Sequence, residues 1–151
     1  MAANTNPIYS KSGLVGTVTV PQAAGANTKS DGTGTIATDM WLAASPAADG
    51  SWLDRIRFSH GNNTVGEASG ANVYRLYLST KNAGATAPAD TKLIKEIASP
   101  TQNSDHATVP TNFIEEPLGF VLPSGMYLLV SIHANTSAHA SLHIVTFGGN
   151  Y

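Results

Sequence analysis

The 151-residue chain has no cysteine, a net charge of -2 and only 12% charged residues, about half the usual fraction in soluble domains. Disulfide stapling, thiolate metal sites and cysteine nucleophiles are thereby excluded, and the scattered Lys and Arg form no basic stripe for nucleic acid. No apolar run is long enough for a membrane-spanning helix. The polar start, MAANTNPIYSKSG at 1–13, lacks the apolar core of a signal peptide, which predicts a protein made and soluble in a cytosol.

Residues 1–12 read as an extended arm in which Pro7 precedes the apolar pair Ile8 and Tyr9. A single domain over 13–151 follows. Strand-like runs broken by Gly, Pro, Asn and Asp recur about every 8–15 residues, and no helical pattern interrupts them. The first strand is GLVGTVTV at 13–20, with Leu14, Val18 and Val20 on one face and Pro21 as its stop. After a Gly- and Ala-rich loop, TIATDMWLA at 35–43 predicts one strand with Ile36, Thr38, Met40 and Leu42 on a common face.

Asp49-Gly50 signals a hairpin turn into WLDRIRFS at 52–59. Strict alternation there places Trp52, Ile56 and Phe58 on one side and Leu53, Arg55 and Arg57 on the other. Asp54 then falls on the apolar side, as a rim or turn residue bonded to backbone amides. VYRLYLS at 73–79 turns Tyr74, Leu76 and Leu78 to the core and Arg75 and Tyr77 outward. TKLIKEIA at 91–98 is short enough to favour a strand over a helical turn. In NFIEEPLGFVL at 112–122, Pro117 requires two pieces or a bulged edge strand. Pro123-Ser124-Gly125 is a tight turn, and MYLLVSIH at 126–133 and HASLHIVTF at 139–147 read as a final hairpin.

About eight strands are the number for two sheets wound as a jelly roll, with an immunoglobulin-like sandwich as the runner-up. The expected class is therefore an all-β antiparallel sandwich, jelly-roll-like, with an extended N-terminal arm.

Candidate chemistry is sparse. His133, His139 and His143 cluster at the last predicted hairpin and suit zinc or nickel, but no neighbouring carboxylate would orient the rings, so no metal is expected. His60 and His106 fall in loops. Glu115 and Glu116 are adjacent, so a strand points them to opposite faces and they make no acid–base pair. There is no G-x-S-x-G elbow, and DGTGT at 31–35 lacks the lysine of a phosphate loop. The triplets at Asn62 and Asn135 that match glycosylation sites read as loops. A hydrolase would need His106, Asp105 and a serine to meet in a cleft. Trp41, Trp52 and the tyrosines suit either a core or a sugar platform.

The segments TNPIYS at 5–10, SDGTGT at 30–35, DGSWLDRIRF at 49–58, IKEI at 94–97, LPSGMYLLVSI at 122–132 and the closing GGNY resemble small virion proteins of tailed bacteriophages and prophages. These look like the jelly-roll decoration, or cement, proteins on the outside of phage capsids. The resemblance implies a non-enzymatic virion protein without cofactors, located on the capsid surface after assembly in the host cytoplasm. Its partners would be the major capsid protein and further copies of itself, as a dimer or trimer, and neither nucleic acid nor membrane. Ile8, Tyr9, Tyr77, Tyr127 and Leu129 are the candidate interface residues, as apolar side chains in the arm or opposite the core set. A carbohydrate-binding module on a tail or capsid surface is the alternative.

Overall fold

The computed structural model describes residues 11–62, 70–101, 113–136 and 140–151. Within them lie β1 (Ser12–Val20), β2 (Gly34–Thr35), β3 (Met40–Ala44), β4 (Ser51–Asn62), β5 (Asn72–Ser79), β6 (Ala85–Thr86), β7 (Thr91–Ser99), β8 (Phe113–Leu122), β9 (Tyr127–Ile132) and β10 (Ala140–Asn150). The described residues contain no helix.

Eight long strands form two four-stranded antiparallel sheets, ordered β1-β10-β4-β8 and β3-β9-β5-β7, and β2 pairs with β6 in a small ribbon. Counted without the ribbon, the strands alternate between sheets except at the β5–β7 pair. This order is the eight-stranded jelly roll that the strand count anticipates.

The alternation corrects two readings. The Asp49-Gly50 turn, closed by Gly50 N–H donating to Ala47 O (3.0 Å) with Gly50 at φ 96°, joins strands of different sheets. So does the connection from β9 to β10. Neither is a hairpin, because turn residues fix a chain reversal but not which strand the returning segment bonds.

Between the sheets lies one apolar layer. Val20, Trp41, Leu53, Ile56, Phe58, Tyr74, Leu76, Leu122, Leu128, Val130, Ile132, Leu142 and Ile144 are buried together. Phe58 and Tyr74 stack at 4.7 Å between ring centroids. At about 1.5–3 kcal/mol for each fully buried large apolar side chain, this layer is the main force holding the sheets together.

A bulge explains why strict alternation fails in β4. Leu53 pairs with Gly148 and Phe120, Arg55 pairs with Phe147 and Pro117, and Asp54 is extruded between them. Leu53 and Ile56 thus share the core face, while Trp52 turns outward and is 39% exposed. Asp54 does not cap backbone amides; its Oδ2 accepts from Arg55 Nη1 at 2.6 Å. On β8 the bulge sits beside Pro117, with Gly119 at φ 65° supplying the left-handed residue. β8 is a bulged edge strand, one of the two forms the sequence allowed.

The run at 35–43 is not one strand. Thr38 and Asp39 N–H both donate to Thr35 O (3.1 Å each), and this turn separates β2 from β3.

Candidate functional site

The two sheets treat their outer faces differently. Over β3-β9-β5-β7 the chain folds back on itself. Asn27 N–H donates to Ile132 O (2.8 Å), Thr86 Oγ1 donates to Gly32 O (2.8 Å), and Tyr77 Oη donates to Lys29 O (3.1 Å). Asn135 Oδ1 accepts from Ala26 N–H (2.5 Å), and Thr136 Oγ1 accepts from Ala24 N–H (3.0 Å) while donating to Pro21 O (2.7 Å). Asn135 and Thr136 of this triplet are thus loop fasteners.

Under this cover Met40, Tyr77 and Leu129 are 0% exposed, with Ile36, Leu42 and Tyr127 packed against them. Tyr77 and Leu129 are therefore not exposed interface residues, and Tyr127 is only half-buried. The side chains of both Tyr77 and Leu129 do point away from the core between the sheets. Alternation gives the face of the sheet, but not that residues 21–39 would return to bury it. Ile8 and Tyr9 lie outside the described residues.

Arg75 is the main tie beneath the cover. Its Nη1 donates to Asn27 O (2.9 Å), its Nε to Glu96 Oε1 (2.7 Å), and its Nη2 meets His133 Nδ1 at 3.1 Å. Burial pushes the Tyr77 hydroxyl pKa up.

The face of β1-β10-β4-β8 carries no such cover among the described residues. Strand register sets four rungs across it: Gly13, Gly149, Trp52 and Val121; Val15, Phe147, Arg55 and Pro117; Thr17, Val145, Arg57 and Glu115; Thr19, His143, Ser59 and Phe113. Of the six strongly exposed large apolar side chains among the described residues, Val15 (64%), Trp52, Phe113 (57%) and Val121 (48%) are on this face.

At its centre two arginines lie over aromatic rings. Arg55 Cζ is 4.7 Å from the Phe147 centroid, and Arg57 Cζ is 4.4 Å from Phe113. Glu115 ties them together. Arg57 donates to its Oε2 from Nε (2.9 Å) and Nη2 (2.6 Å), and Arg55 Nε lies 2.9 Å from its Oε1. Each exposed ion pair contributes about 1 kcal/mol or less; the value of the network is that it holds two guanidiniums in place. The lower rungs border a shallow cleft of about 470 Å³ lined by Trp52, Asp54, Arg55, Phe147, Gly148, Gly149 and Tyr151.

The two described imidazoles of the predicted cluster are not brought together. His133 lies beside Arg75, just past β9, whereas His143 is on the outer face of the other sheet, within 3.3 Å of Thr19 Oγ1 and 3.2 Å of Ser141 Oγ. His139 is outside the described residues, among which no group of three potential ligands is found. His60 is buried rather than in a solvent-facing loop. Its Nε2 meets Tyr74 Oη at 2.8 Å, and that hydroxyl donates to Ser99 Oγ at 3.0 Å. Burial pushes the His60 pKa below 6.5, with the His143 charge adding to the effect.

Glu115 and Glu116 face opposite ways, as the strand period requires: Glu115 to the two arginines and Glu116 to Lys95. Asp31 accepts from Thr33 N–H (2.9 Å), which lowers its pKa and marks the SDGTGT segment as turn chemistry. His106 and Asp105 lie outside the described residues. Trp41 is core and Trp52 is surface.

The uncovered face was missed at the sequence level because its members come from four strands far apart in the chain. The available signal was Val15 and Phe113, apolar residues on the side of their strands opposite the core set.

Compared with known proteins, the chain matches no family model, no curated protein and no solved structure.

Proposed function

We propose that this chain is a non-enzymatic decoration protein of a phage capsid, binding the major capsid protein on the outer shell through the face of β1-β10-β4-β8. The observation that carries the reading is the asymmetry of the sandwich. One outer face is buried under the chain's own loops, and the other presents exposed apolar residues around aromatic-stacked arginines. Aromatic residues and arginine are the types enriched at the energetic centres of protein interfaces. The sequence likeness to phage virion proteins supplies the shell as the partner.

Size explains how such a protein would work. Four strands about 4.8 Å apart and about 30 Å long make a face of roughly 600 Å², below the roughly 800 Å² per partner of a standard stable complex. A single copy would bind weakly. Copies joined to one another would bind together, with the second contact made at high effective concentration. A cement protein of this design adds interfacial area across capsomer junctions and opposes the pressure of packaged DNA.

A second reading has its own observation. The cleft beside Trp52 sets exposed aromatic surface next to Asp54 and Arg55, a combination that can stack on a sugar ring and bond its hydroxyls.

Add-back separates the two. Purified protein is returned to shells lacking it, and their rupture temperature is recorded beside a glycan-binding screen. The decoration reading expects saturable binding and a higher rupture temperature; glycan binding without shell binding replaces it with the carbohydrate reading.

A further inference from the structure

The edges of the sandwich are unequal too. β7 and β8 are the last strands of their respective sheets, and between them opens a cleft of about 450 Å³. Leu76, Leu78, Leu118 and Phe120 form its apolar lining, and Ile94 stands at its mouth. Ile94 is the extra residue of a bulge in β7, where Leu76 pairs with Lys95 and Tyr77 with Leu93, and it is 41% exposed. Lys95 closes one side of the rim by its ion pair with Glu116. A cleft of this volume falls within the range that encloses a small ligand or a few apolar side chains.

The chain itself contains a fitting occupant. Residues 1–10 are polar apart from Met1, two small alanines, Pro7 and the adjacent pair Ile8 and Tyr9. Ile8 and Tyr9 are thus the one adjacent pair of large apolar side chains in this stretch of sequence.

The arm's point of departure decides whose cleft it reaches. Lys11 N–H donates to Asn150 O (2.7 Å), so the arm leaves from the β1 edge. β8 is the opposite edge of the same sheet. Ser12, Asn150, Ser51 and Leu122 lie in one row across it, which puts β8 about 14 Å from the start of β1 at about 4.8 Å per strand. Four residues from Ser12 back to Ile8 span at most about 14 Å when fully extended. The arm would reach the β8 backbone with no length left to turn in between the sheets. A neighbouring copy has no such limit.

We infer that Ile8 and Tyr9 of one copy dock in the β7–β8 cleft of the next. Donor edge and acceptor cleft lie on opposite sides of the molecule, so the contact is head-to-tail and closes into a ring when the rotation between copies permits. The inference does not depend on the shell reading, because it concerns copies free in solution.

The cysteine-free chain makes the test clean. An Ile8→Cys protein is mixed with an Ile94→Cys protein under mild oxidation and run on a non-reducing gel, beside a control mixture of Ile8→Cys with Lys29→Cys. The expected result is a heterodimeric disulfide that forms at least tenfold faster than in the control, without any shell present. In parallel, the full chain sediments as an oligomer, and Ile94→Asp, a change at an exposed side chain, weakens that association at least tenfold while the thermal midpoint holds. Cross-linking no faster than the control, or a monomer at all concentrations, overturns the inference. Formation of the disulfide only within one chain, in an Ile8→Cys/Ile94→Cys double variant, overturns it as well. Failure of add-back to shells would leave this result untouched.

Discussion

Replacing Arg75 by Met tests how the covered face is held. Arg75 is 7% exposed, and its guanidinium makes three strong contacts: Asn27 O at 2.9 Å, Glu96 Oε1 at 2.7 Å and His133 Nδ1 at 3.1 Å. Methionine keeps much of the apolar stem but none of these bonds. The bond to Asn27 O is buried and charge-assisted, which is worth about 1.5–3 kcal/mol. The Glu96 pair contributes less, because that side chain is 49% exposed and its carboxylate recovers water when the arginine is removed. Summed with this discount, the loss is about 2–4 kcal/mol.

For a domain of this size about 1 kcal/mol shifts the thermal midpoint by about 2–4 °C, so the midpoint should fall by about 5–15 °C. Limited proteolysis should show earlier cleavage within residues 21–33, the segment whose carbonyls Arg75 engages. Lys92→Ala is the control; the ammonium donates only to Pro88 O on the exposed surface, and its loss should stay within about 0.5 kcal/mol. An Arg75→Met protein with an unchanged midpoint and unchanged proteolysis would refute the view that Arg75 ties the cover down.

His60→Gln keeps a donor near the Tyr74 hydroxyl and removes a titrating group. Because burial holds the folded pKa below 6.5, the unfolded chain takes up the proton first. The wild type should therefore lose stability relative to His60→Gln as pH falls below about 6.5, and the two should run parallel above it in denaturant titrations across pH. Gly148→Ala places a Cβ on the Trp52 carbonyl oxygen at the β4 bulge. Backbone cannot yield there as a side chain would, so a destabilisation of about 1–3 kcal/mol is expected by urea unfolding. Tyr77→Ala should cost about 3–5 kcal/mol like other buried large-to-small changes, whereas an exposed tyrosine would cost almost nothing.

Much of the architecture was legible in local pattern. Turn residues and two-residue periodicity suffice for β1, β5 and the bulged β8, and segment length for β7, because each depends on a few neighbouring side chains. What pattern could not reveal was pairing. Asp49-Gly50 reverses the chain whether the next strand bonds beside the last one or crosses to the other sheet, and the choice belongs to the whole core. The bulge at Asp54 likewise depends on Gly148 and Gly119, distant in sequence. For the same reason Leu53 and Trp52 exchanged faces.

The candidate surface was less legible still. Tyr77 and Leu129 have the alternation of outward residues, yet residues 21–39 return over them and are held there by Arg75 and Asn27. Arg57, Phe147 and Phe113 meet only through register. Their cluster follows from two strand pairings, β10 with β4 and β4 with β8, and from no motif.

The central claim is that the uncovered face of β1-β10-β4-β8 docks on the capsid shell. Its most direct test is co-sedimentation of the purified chain with shells lacking it, comparing the wild type with a Val15→Asp/Phe113→Ser variant. Both replaced side chains are more than half exposed, so the fold should persist by circular dichroism and thermal midpoint. The account predicts saturable binding of the wild type and a loss of at least tenfold for the variant. Absence of wild-type binding, or equal binding by both proteins, would contradict it.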